Sequence, residues 1–293
     1  MSSEPYNFNK TRIAPTPSGF LHVGNILSFS ITVALARETG AGVLLRIDDM
    51  DQTRADTRYV KDIFDTLNFL EIPWDEGPAN AGEFKKNYSQ VHRLNLYNEA
   101  LKKLYHNDLI YGCGCSRKQL TTQTCLCAGK RMPFDKPDIS WRLKTDSNTV
   151  LKIKNYKGDI TQTTLPPDMK NFVVKRRDGL PAYQLTSIID DLYYGIDLVV
   201  RGQDLWTSTI AQHYLAFLLG ENRFADITFY HHPLLMESPE KKLSKSAGAA
   251  SIKYMREQGK TAADVFDIIA GMMDIAGPVI NWQQLISQWN LSL

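Results

Sequence analysis

The four cysteines are the most distinctive chemical group in the sequence, because all of them fall in one short segment: Cys113, Cys115, Cys125 and Cys127. Chance would place four cysteines this close together in roughly one chain of several thousand. Cysteines one residue apart are poor disulfide partners, and cytosolic thiols stay reduced. The pattern therefore predicts a tetrahedral structural metal site, with zinc as the metal that suits four thiolates. Four separate reduced cysteines are the alternative.

A second group of residues could bind a nucleotide. The segment Pro15–Asn25 is a Pro/Gly-rich turn that contains His22 and Gly24, and it lies between a predicted strand and a predicted helix. Backbone N–H groups at a helix N-terminus bind phosphate, Gly24 would let a nucleotide approach the backbone, and His22 could donate to a phosphate oxygen. A plain strand-to-helix turn with a satisfied histidine is the alternative.

A third group is basic. Residues 241–246, KKLSKS, place three lysines and two hydroxyl groups in six positions. Lysine charges stabilise the negative charge that develops on phosphate oxygens during a reaction at an α-phosphate. A solvated basic loop is the alternative interpretation.

These residues need elements that hold them. Apolar periodicity predicts strands at residues 11–14, 43–47, 198–200 and 227–230 and helices at 26–36, 60–70, 94–104 and 210–219. Alternating strands and helices predict an α/β fold with a parallel sheet, and ligands bind at the carboxyl ends of such strands. Residues from about 95 to 180 carry the cysteines and short β segments such as Trp141–Leu143, so we interpret them as an insertion. Short helices are predicted from residue 252 onward.

Composition excludes several classes of protein. With 43% hydrophobic and 23% charged residues, the sequence is not disordered, collagenous or coiled-coil. The net charge of +2 neither requires nor excludes a polyanionic partner. No apolar run reaches the ~18–20 residues of a membrane span, and the first ten residues lack the apolar core of a signal peptide. We therefore expect a cytoplasmic protein with no membrane partner. The sequence leaves its oligomeric state open, with a monomer as the default.

The turn and the basic segment occur together with further matches to a known family. A His-x-Gly-Asn turn followed far downstream by Lys-Leu-Ser-Lys-Ser resembles the paired nucleotide motifs of class I aminoacyl-tRNA synthetases. The intervening matches resemble the glutamyl-tRNA synthetase family, and they are Arg12–Gly19, Arg46–Asp49 with Asp51 and Arg54, Arg177–Leu185, Asp190–Asp191 and Arg201–Asp204. The resemblance covers residues from about 11 to 250.

The resemblance implies a fold and its division into segments. The expected fold is a Rossmann-like parallel sheet, the class I catalytic core, with an inserted zinc-containing α+β subdomain and a short helical C-terminal region. Residues 1–95 would form the first half of the core and 96–180 the inserted acceptor and zinc subdomain. Residues 181–250 would form the second half of the core with the KLSKS segment, and 251–293 the helical C-terminal region.

The resemblance also implies site residues. Glutamate would be bound by Arg12, Ala14, Thr16, Asp48, Tyr183 and Arg201. ATP, with Mg²⁺, would be bound by His22, Gly24, Asn25, Gln203, Asp204, Lys242, Lys245 and Ser246, of which His22, Lys242 and Lys245 would be catalytic. Glutamate's two carboxylates need cationic forks and its ammonium needs an acid, which the arginines and Asp48 supply. Which arginine takes which carboxylate stays open. An ordinary loop carboxylate paired with Arg46 or Arg54 is the alternative for Asp48.

The end of the sequence narrows the resemblance further. Fewer than ~50 residues follow Ser246, which we expect to be too few for an anticodon-binding domain. With the cysteine cluster, this resembles the glutamyl-Q tRNA(Asp) synthetases, which attach glutamate to the queuosine base of tRNA(Asp). The implied partners are ATP, L-glutamate and tRNA(Asp) carrying queuosine. Three alternatives remain: a short glutamyl-tRNA synthetase that charges the 3′ end of tRNA(Glu), a nucleotidyltransferase of the same sheet class, and a non-enzymatic tRNA-binding module.

Overall fold

A computed structural model of the chain describes residues 7–130, 132–238, 241–242 and 251–289. Its strands are β1 Lys10–Ile13, β2 Gly42–Leu45, β3 Ile110–Cys113, β4 Ser140–Leu143, β5 Leu151–Asn155, β6 Ile160–Thr163, β7 Val173–Lys175, β8 Leu198–Gly202, β9 Thr228–His232, β10 Met236–Ser238 and β11 Lys241–Lys242. Its helices are α1 Val23–Thr39, α2 Thr57–Phe69, α3 Ala81–Glu83, α4 Leu94–His106, α5 Arg117–Thr122, α6 Tyr183–Tyr193, α7 Trp206–Leu219, α8 Ile252–Glu257, α9 Ala262–Met272 and α10 Trp282–Gln288.

The chain forms two compact units. The first unit spans residues 1–90, 196–204 and 228–293, and the second spans residues 91–195 and 205–227. Each predicted strand and helix overlaps an observed one, which confirms the predicted alternation of strands and helices. Among the described residues, each helix is too short or too polar to cross a membrane.

The first unit contains the predicted parallel strands. β1 pairs in parallel with β2, and β8 pairs in parallel with β9. β1 lies beside β8, since the Asp197 N–H donates to the Lys10 carbonyl (3.1 Å) and Arg12 Nη1 donates to the Val200 carbonyl (3.3 Å). Both contacts advance along the two strands in the same direction, so β8 is parallel to β1. The carboxyl ends of β1, β2, β8 and β9 therefore lie along one edge.

Helix α1 follows β1 and is buried around most of its circumference. It packs against β1, β2 and β8 and also contacts α9 and α10. Its sequence is apolar on nearly every face, as expected for a helix enclosed by a sheet and other helices. Gly40 ends the helix in the left-handed conformation (φ 75°), and its N–H donates to the Ala36 carbonyl.

The second unit combines helices with antiparallel strands. Helices α4, α6 and α7 pack together, while β3, β4 and β7 form one antiparallel sheet and β5 and β6 form a hairpin. Asp190 on α6 is fully buried and accepts from Arg93 Nε (2.8 Å), Arg93 Nη2 (3.0 Å) and the Tyr97 hydroxyl (2.6 Å). Through these contacts, Asp190 joins α6 to α4. Removing one partner would leave an uncompensated buried charge, which is strongly destabilising.

Candidate active site and four-cysteine cluster

Two loops meet at the carboxyl ends of β1 and β2. Beyond the strands, the Arg46 N–H donates to the Ile13 carbonyl and the Asp48 N–H donates to the Pro15 carbonyl, each at 2.9 Å. This backbone ladder holds the Ala14–Thr16 segment beside Asp48. Three of the predicted glutamate-binding residues, Ala14, Thr16 and Asp48, are therefore close together in the first unit.

Asp48 forms a buried bidentate ion pair with Arg46. Arg46 Nε donates to Asp48 Oδ1 (2.7 Å) and Arg46 Nη2 donates to Oδ2 (3.0 Å), with both side chains less than a tenth exposed. The alternative interpretation of Asp48 anticipated this contact. A carboxylate has about four lone-pair sites, so one guanidinium does not exhaust its capacity to accept from an ammonium group.

Two arginines lie on the neighbouring strands β1 and β8. Arg12 and Arg201 are buried, with 6% and 4% of their surfaces exposed. The guanidinium of Arg201 stacks over the Phe229 ring, with its central carbon 4.9 Å from the ring centroid. Buried guanidinium groups are suited to bidentate recognition of carboxylates. The sheet thus places two such groups on adjacent strands in the unit that carries Asp48.

The His22 turn is held by the chain's own polar groups. The Gly24 N–H donates to His22 Nδ1 (3.1 Å), and the His22 N–H donates to Asn25 Oδ1 (3.1 Å). This reciprocal pair caps the N-terminus of α1. With Nδ1 accepting, a neutral His22 carries its proton on Nε2, which suits donation to a phosphate oxygen. Asn25 has a structural role here that sequence reasoning did not identify.

Gly24 leaves space beside the side chain of His22. A Cβ atom at this position would lie 3.1 Å from both Cε1 and Nδ1 of His22. The ring would then have to move by a few tenths of an ångström. The glycine that we predicted to admit a nucleotide therefore also makes room for the histidine.

Gln203 and Asp204 follow β8 directly and are exposed. A Cβ at Gly202, the residue before them, would lie 2.8 Å from Asp204 Oδ1 and 2.9 Å from Leu234 Cδ2, so the ends of these side chains would have to move. Opposite Gly202, His232 on β9 is buried, and this burial lowers its pKa, although the nearby Asp204 opposes the shift. Sequence reasoning missed His232, since its burial depends on strand register.

The remaining predicted site residues are Tyr183 of the glutamate set and three residues of the basic segment. Tyr183 is the first residue of α6 in the second unit, and 43% of its surface is exposed, so it is not a core residue. The backbone of Lys242 belongs to β11. Lys245 and Ser246 lie outside the described residues.

The four cysteine sulfur atoms converge in the second unit. All four lie within 4.8 Å of one another. The Sγ–Sγ distances are 3.6 Å for Cys113–Cys125, 3.5 Å for Cys115–Cys127 and 3.9 Å for Cys115–Cys125. Zinc–sulfur bonds of ~2.3 Å in a tetrahedron separate neighbouring sulfurs by about 3.8 Å. The cluster therefore has the dimensions of a four-thiolate zinc site.

The thiols of this cluster differ in how readily they ionise. Hydrogen bonding to Cys127, together with burial, raises the pKa of Cys115 to about 12. Burial raises the pKa of Cys113. Burial opposes ionisation of Cys125 as well, but hydrogen bonds from the Cys127 N–H and the neighbouring thiols lower its pKa. A coordinated metal would supply the positive charge that compensates four thiolates. The four cysteines would hold the metal.

Comparison with known proteins defines the class. Residues 9–125 and 129–273 match the family described as tRNA synthetases class I (E and Q), catalytic domain. The chain belongs to this family, whose members are ligases, and the resemblance inferred from its motifs is confirmed.

The similar proteins include a glutamyl-Q tRNA(Asp) synthetase and glutamate–tRNA ligases. The chain is 33% identical over 266 residues to the glutamyl-Q tRNA(Asp) synthetase of Dechloromonas aromatica, covering 87% of this chain and 83% of that protein. It is 32% identical over 269 residues to glutamate–tRNA ligase 2 of Syntrophus aciditrophicus, covering 85% of this chain but only 54% of the relative. The chain thus spans about half the length of that ligase. The solved glutamate-tRNA synthetase of Elizabethkingia anophelis shares the fold, with a TM-score of 0.73 at 19% identity, over 96% of this chain and 66% of that one.

Proposed function

We propose that the chain activates L-glutamate with ATP and transfers the glutamyl group to the queuosine base of tRNA(Asp). One observation carries the proposal: a chain of this family places buried Arg12 and Arg201 and the acid Asp48 in the unit that contains the His22 turn. The relative named glutamyl-Q tRNA(Asp) synthetase supports the choice of acceptor. We place this reaction in the cytoplasm, the compartment expected from the sequence.

The first step is an in-line displacement. A glutamate α-carboxylate oxygen attacks the α-phosphorus of ATP, the bond from this phosphorus to the bridging oxygen breaks, and pyrophosphate leaves. No general base is needed, because the carboxylate is already ionised. His22 would donate to a phosphate oxygen, and Lys242 and Lys245 would stabilise the developing charge. Mg²⁺ bound with ATP neutralises charge on the phosphates.

The second step transfers the acyl group. A hydroxyl of the queuosine cyclopentenediol attacks the acyl carbonyl and loses its proton, and AMP leaves with the electrons of the broken acyl–oxygen bond. The zinc-binding subdomain, residues 96–180, would support the acceptor RNA. Its cysteines would serve structure, because four protein thiolates leave zinc no open position.

Activation is tested without RNA. Protein, Mg²⁺, ATP, glutamate and labelled pyrophosphate should give ATP–pyrophosphate exchange. Strict dependence on tRNA would contradict the proposed first step. Omission of glutamate is the control.

The acceptor is tested with labelled glutamate and three RNA pools: tRNA(Asp) with queuosine, tRNA(Asp) from queuosine-deficient cells, and tRNA(Glu). We expect label only in the first pool. The queuosine-deficient RNA keeps its 3′ end, so equal labelling of both tRNA(Asp) pools would contradict queuosine as the acceptor. Labelling of tRNA(Glu) would instead support a glutamyl-tRNA synthetase.

A further inference from the structure

Helix α8, which follows the basic segment, contacts the His22 turn directly. The Ile252 N–H donates to the Leu21 carbonyl (2.8 Å), and Ser251 forms an antiparallel β-bridge with His22. Ile252 is fully buried. Ser251, which comes shortly after Ser246 in the sequence, thus lies at the turn proposed to bind phosphate.

Side chains extend this contact to helix α2. The Lys253 ammonium lies 5.5 Å from the centroid of the Phe20 ring, in the turn itself. The Phe20 ring meets the Tyr59 ring of α2 edge to face, at 4.8 Å between centroids. Helix α8, the His22 turn and helix α2 thus contact one another through a continuous set of side chains within the first unit.

Arg256 anchors α8 to α2. Its Nη2 donates to Asp62 Oδ1 and lies 3.5 Å from Thr66 Oγ1, and its guanidinium carbon is 5.9 Å from the Phe69 ring centroid. Only 4% of Asp62 is exposed, whereas the Arg256 side chain is 23% exposed. A buried carboxylate is costly unless a cation stays beside it. Asp62 therefore defines where Arg256, and with it α8, must lie on α2.

We propose that Arg256 is a positioning residue for the nucleotide site. Through Asp62 it holds α8 against α2, and α8 in turn holds the His22 turn in the arrangement that binds the triphosphate. The inference rests on the ATP-binding part of the proposed function and on neither glutamate nor RNA. Arg256 acts through the backbone of Ile252 and the ring contact of Lys253.

Calorimetric titration with α,β-methylene-ATP tests this directly. Arg256→Met keeps the aliphatic stem but removes the charge, and we expect its Kd for the analogue to rise about 5- to 20-fold, within the range of coupling between contacting residues. Arg256→Lys keeps the charge without the planar fork, so its Kd should lie between those of the wild type and Arg256→Met. An unchanged Kd in Arg256→Met would overturn the inference.

A double variant separates positioning from stability. Asp62→Leu with Arg256→Met replaces the pair by apolar side chains of similar volume, which often restores stability. Because apolar contact is non-directional, the double variant can regain stability although α8 is no longer held in its wild-type position. We expect a Tm near that of the wild type but a Kd for the analogue still raised about 5- to 20-fold. If the Tm and the Kd both returned to their wild-type values, the pair would contribute only to stability, and the inference would be overturned.

A matched control lies on the exposed surface of α2. Lys61 forms an ion pair with Asp65 and its side chain is exposed, so Lys61→Met should leave the titration unchanged. In exchange assays, Arg256→Met should raise the KM for ATP and leave the KM for glutamate within about twofold. Equal increases in both would contradict a role confined to the nucleotide. If the wild type binds the analogue but shows no glutamate-driven exchange, the proposed function fails while the titrations still decide the role of Arg256.

Discussion

The His22 turn of the first unit and the cysteine cluster of the second unit are held in place by different means. At the turn, the Gly24 N–H donates to His22 and Asn25 accepts from the His22 N–H, so the cap is complete within the chain. At the cluster, four sulfur atoms lie within 4.8 Å of one another. The apolar neighbours that pack around the sulfurs include Tyr111 and Met132.

This difference separates two ways of building a site. The turn satisfies its own hydrogen bonds, so its geometry does not depend on a ligand. The thiols reach a charged, fully coordinated state only with a metal. Substitutions near the turn should therefore change the reaction with ATP without changing the metal content. Loss of the metal should leave the reaction with ATP nearly unchanged.

The largest effect should come from the basic segment. Lys245→Ala removes one charge that stabilises the transition state, so we expect kcat for pyrophosphate exchange to fall by ~10²–10³. Zinc content and the KM for glutamate should change little. The exposed Lys260 provides the control, because Lys260→Ala removes an equal charge outside the motif. An unchanged kcat in Lys245→Ala would remove this residue from the mechanism.

Amino-acid choice tests the buried arginines. Glutamine replaces the side-chain carboxylate with an amide and loses a charge-assisted hydrogen bond of ~1.5–3 kcal/mol, so glutamate should be preferred roughly 10- to 150-fold in kcat/KM. Arg12→Ala and Arg201→Ala should each reduce this preference or the rate of activation. Arg58, with its side chain 77% exposed, provides the control variant Arg58→Ala. If neither arginine matters, the assignment of the glutamate pocket is wrong.

The sequence predicted some parts of the fold and of the candidate sites but not others. Apolar periodicity predicted the parallel strands and α1, and the spacing of the cysteines predicted their cluster, because both depend on nearby residues. The contact of Arg256 with Asp62 and the burial of His232 could not be predicted in this way. They depend on how α8 meets α2 and how β8 registers with β9, which segments distant in sequence decide together.

Loss of the metal tests the role of the cysteine cluster. The purified protein should contain about one zinc per chain, and Cys115→Ser should lower that content because one of four thiolates is lost. Residues around 110–135 should become sensitive to protease. Transfer to RNA should fall about tenfold, as metal-site losses often do, while exchange stays within about twofold. Leu126→Ala, at an exposed side chain in the same segment, keeps all four thiols and is the control.

Normal transfer by metal-free protein would overturn both the zinc assignment and the role of the insertion. Exchange that fell as far as transfer would instead mean that the first unit also depends on the metal.

Crowding at the turn should have a smaller effect. Gly24→Ala places a Cβ 3.1 Å from the His22 ring, which must move to accommodate it. We expect the KM for ATP in exchange to rise roughly 3- to 10-fold, because the proton on Nε2 is displaced from its phosphate partner. Gly271 on α9 has open space around its Cβ position, so Gly271→Ala is the control. An unchanged KM for ATP would mean that the position of the His22 ring does not matter for binding.

The smallest expected effect is a pH dependence of stability from His232. Burial lowers its pKa in the folded state from 6.5, so in the pH range between the two values the unfolded chain binds more protons. The resulting stability is fully present above pH 6.5 and is lost as the pH falls through the lowered folded-state pKa. In calorimetric scans from pH 7.5 to 5, the Tm of His232→Gln should therefore fall less than that of the wild type. His106 on α4 is exposed, and His106→Gln should follow the wild-type profile. Parallel profiles for wild type and His232→Gln would show that His232 does not titrate in this range.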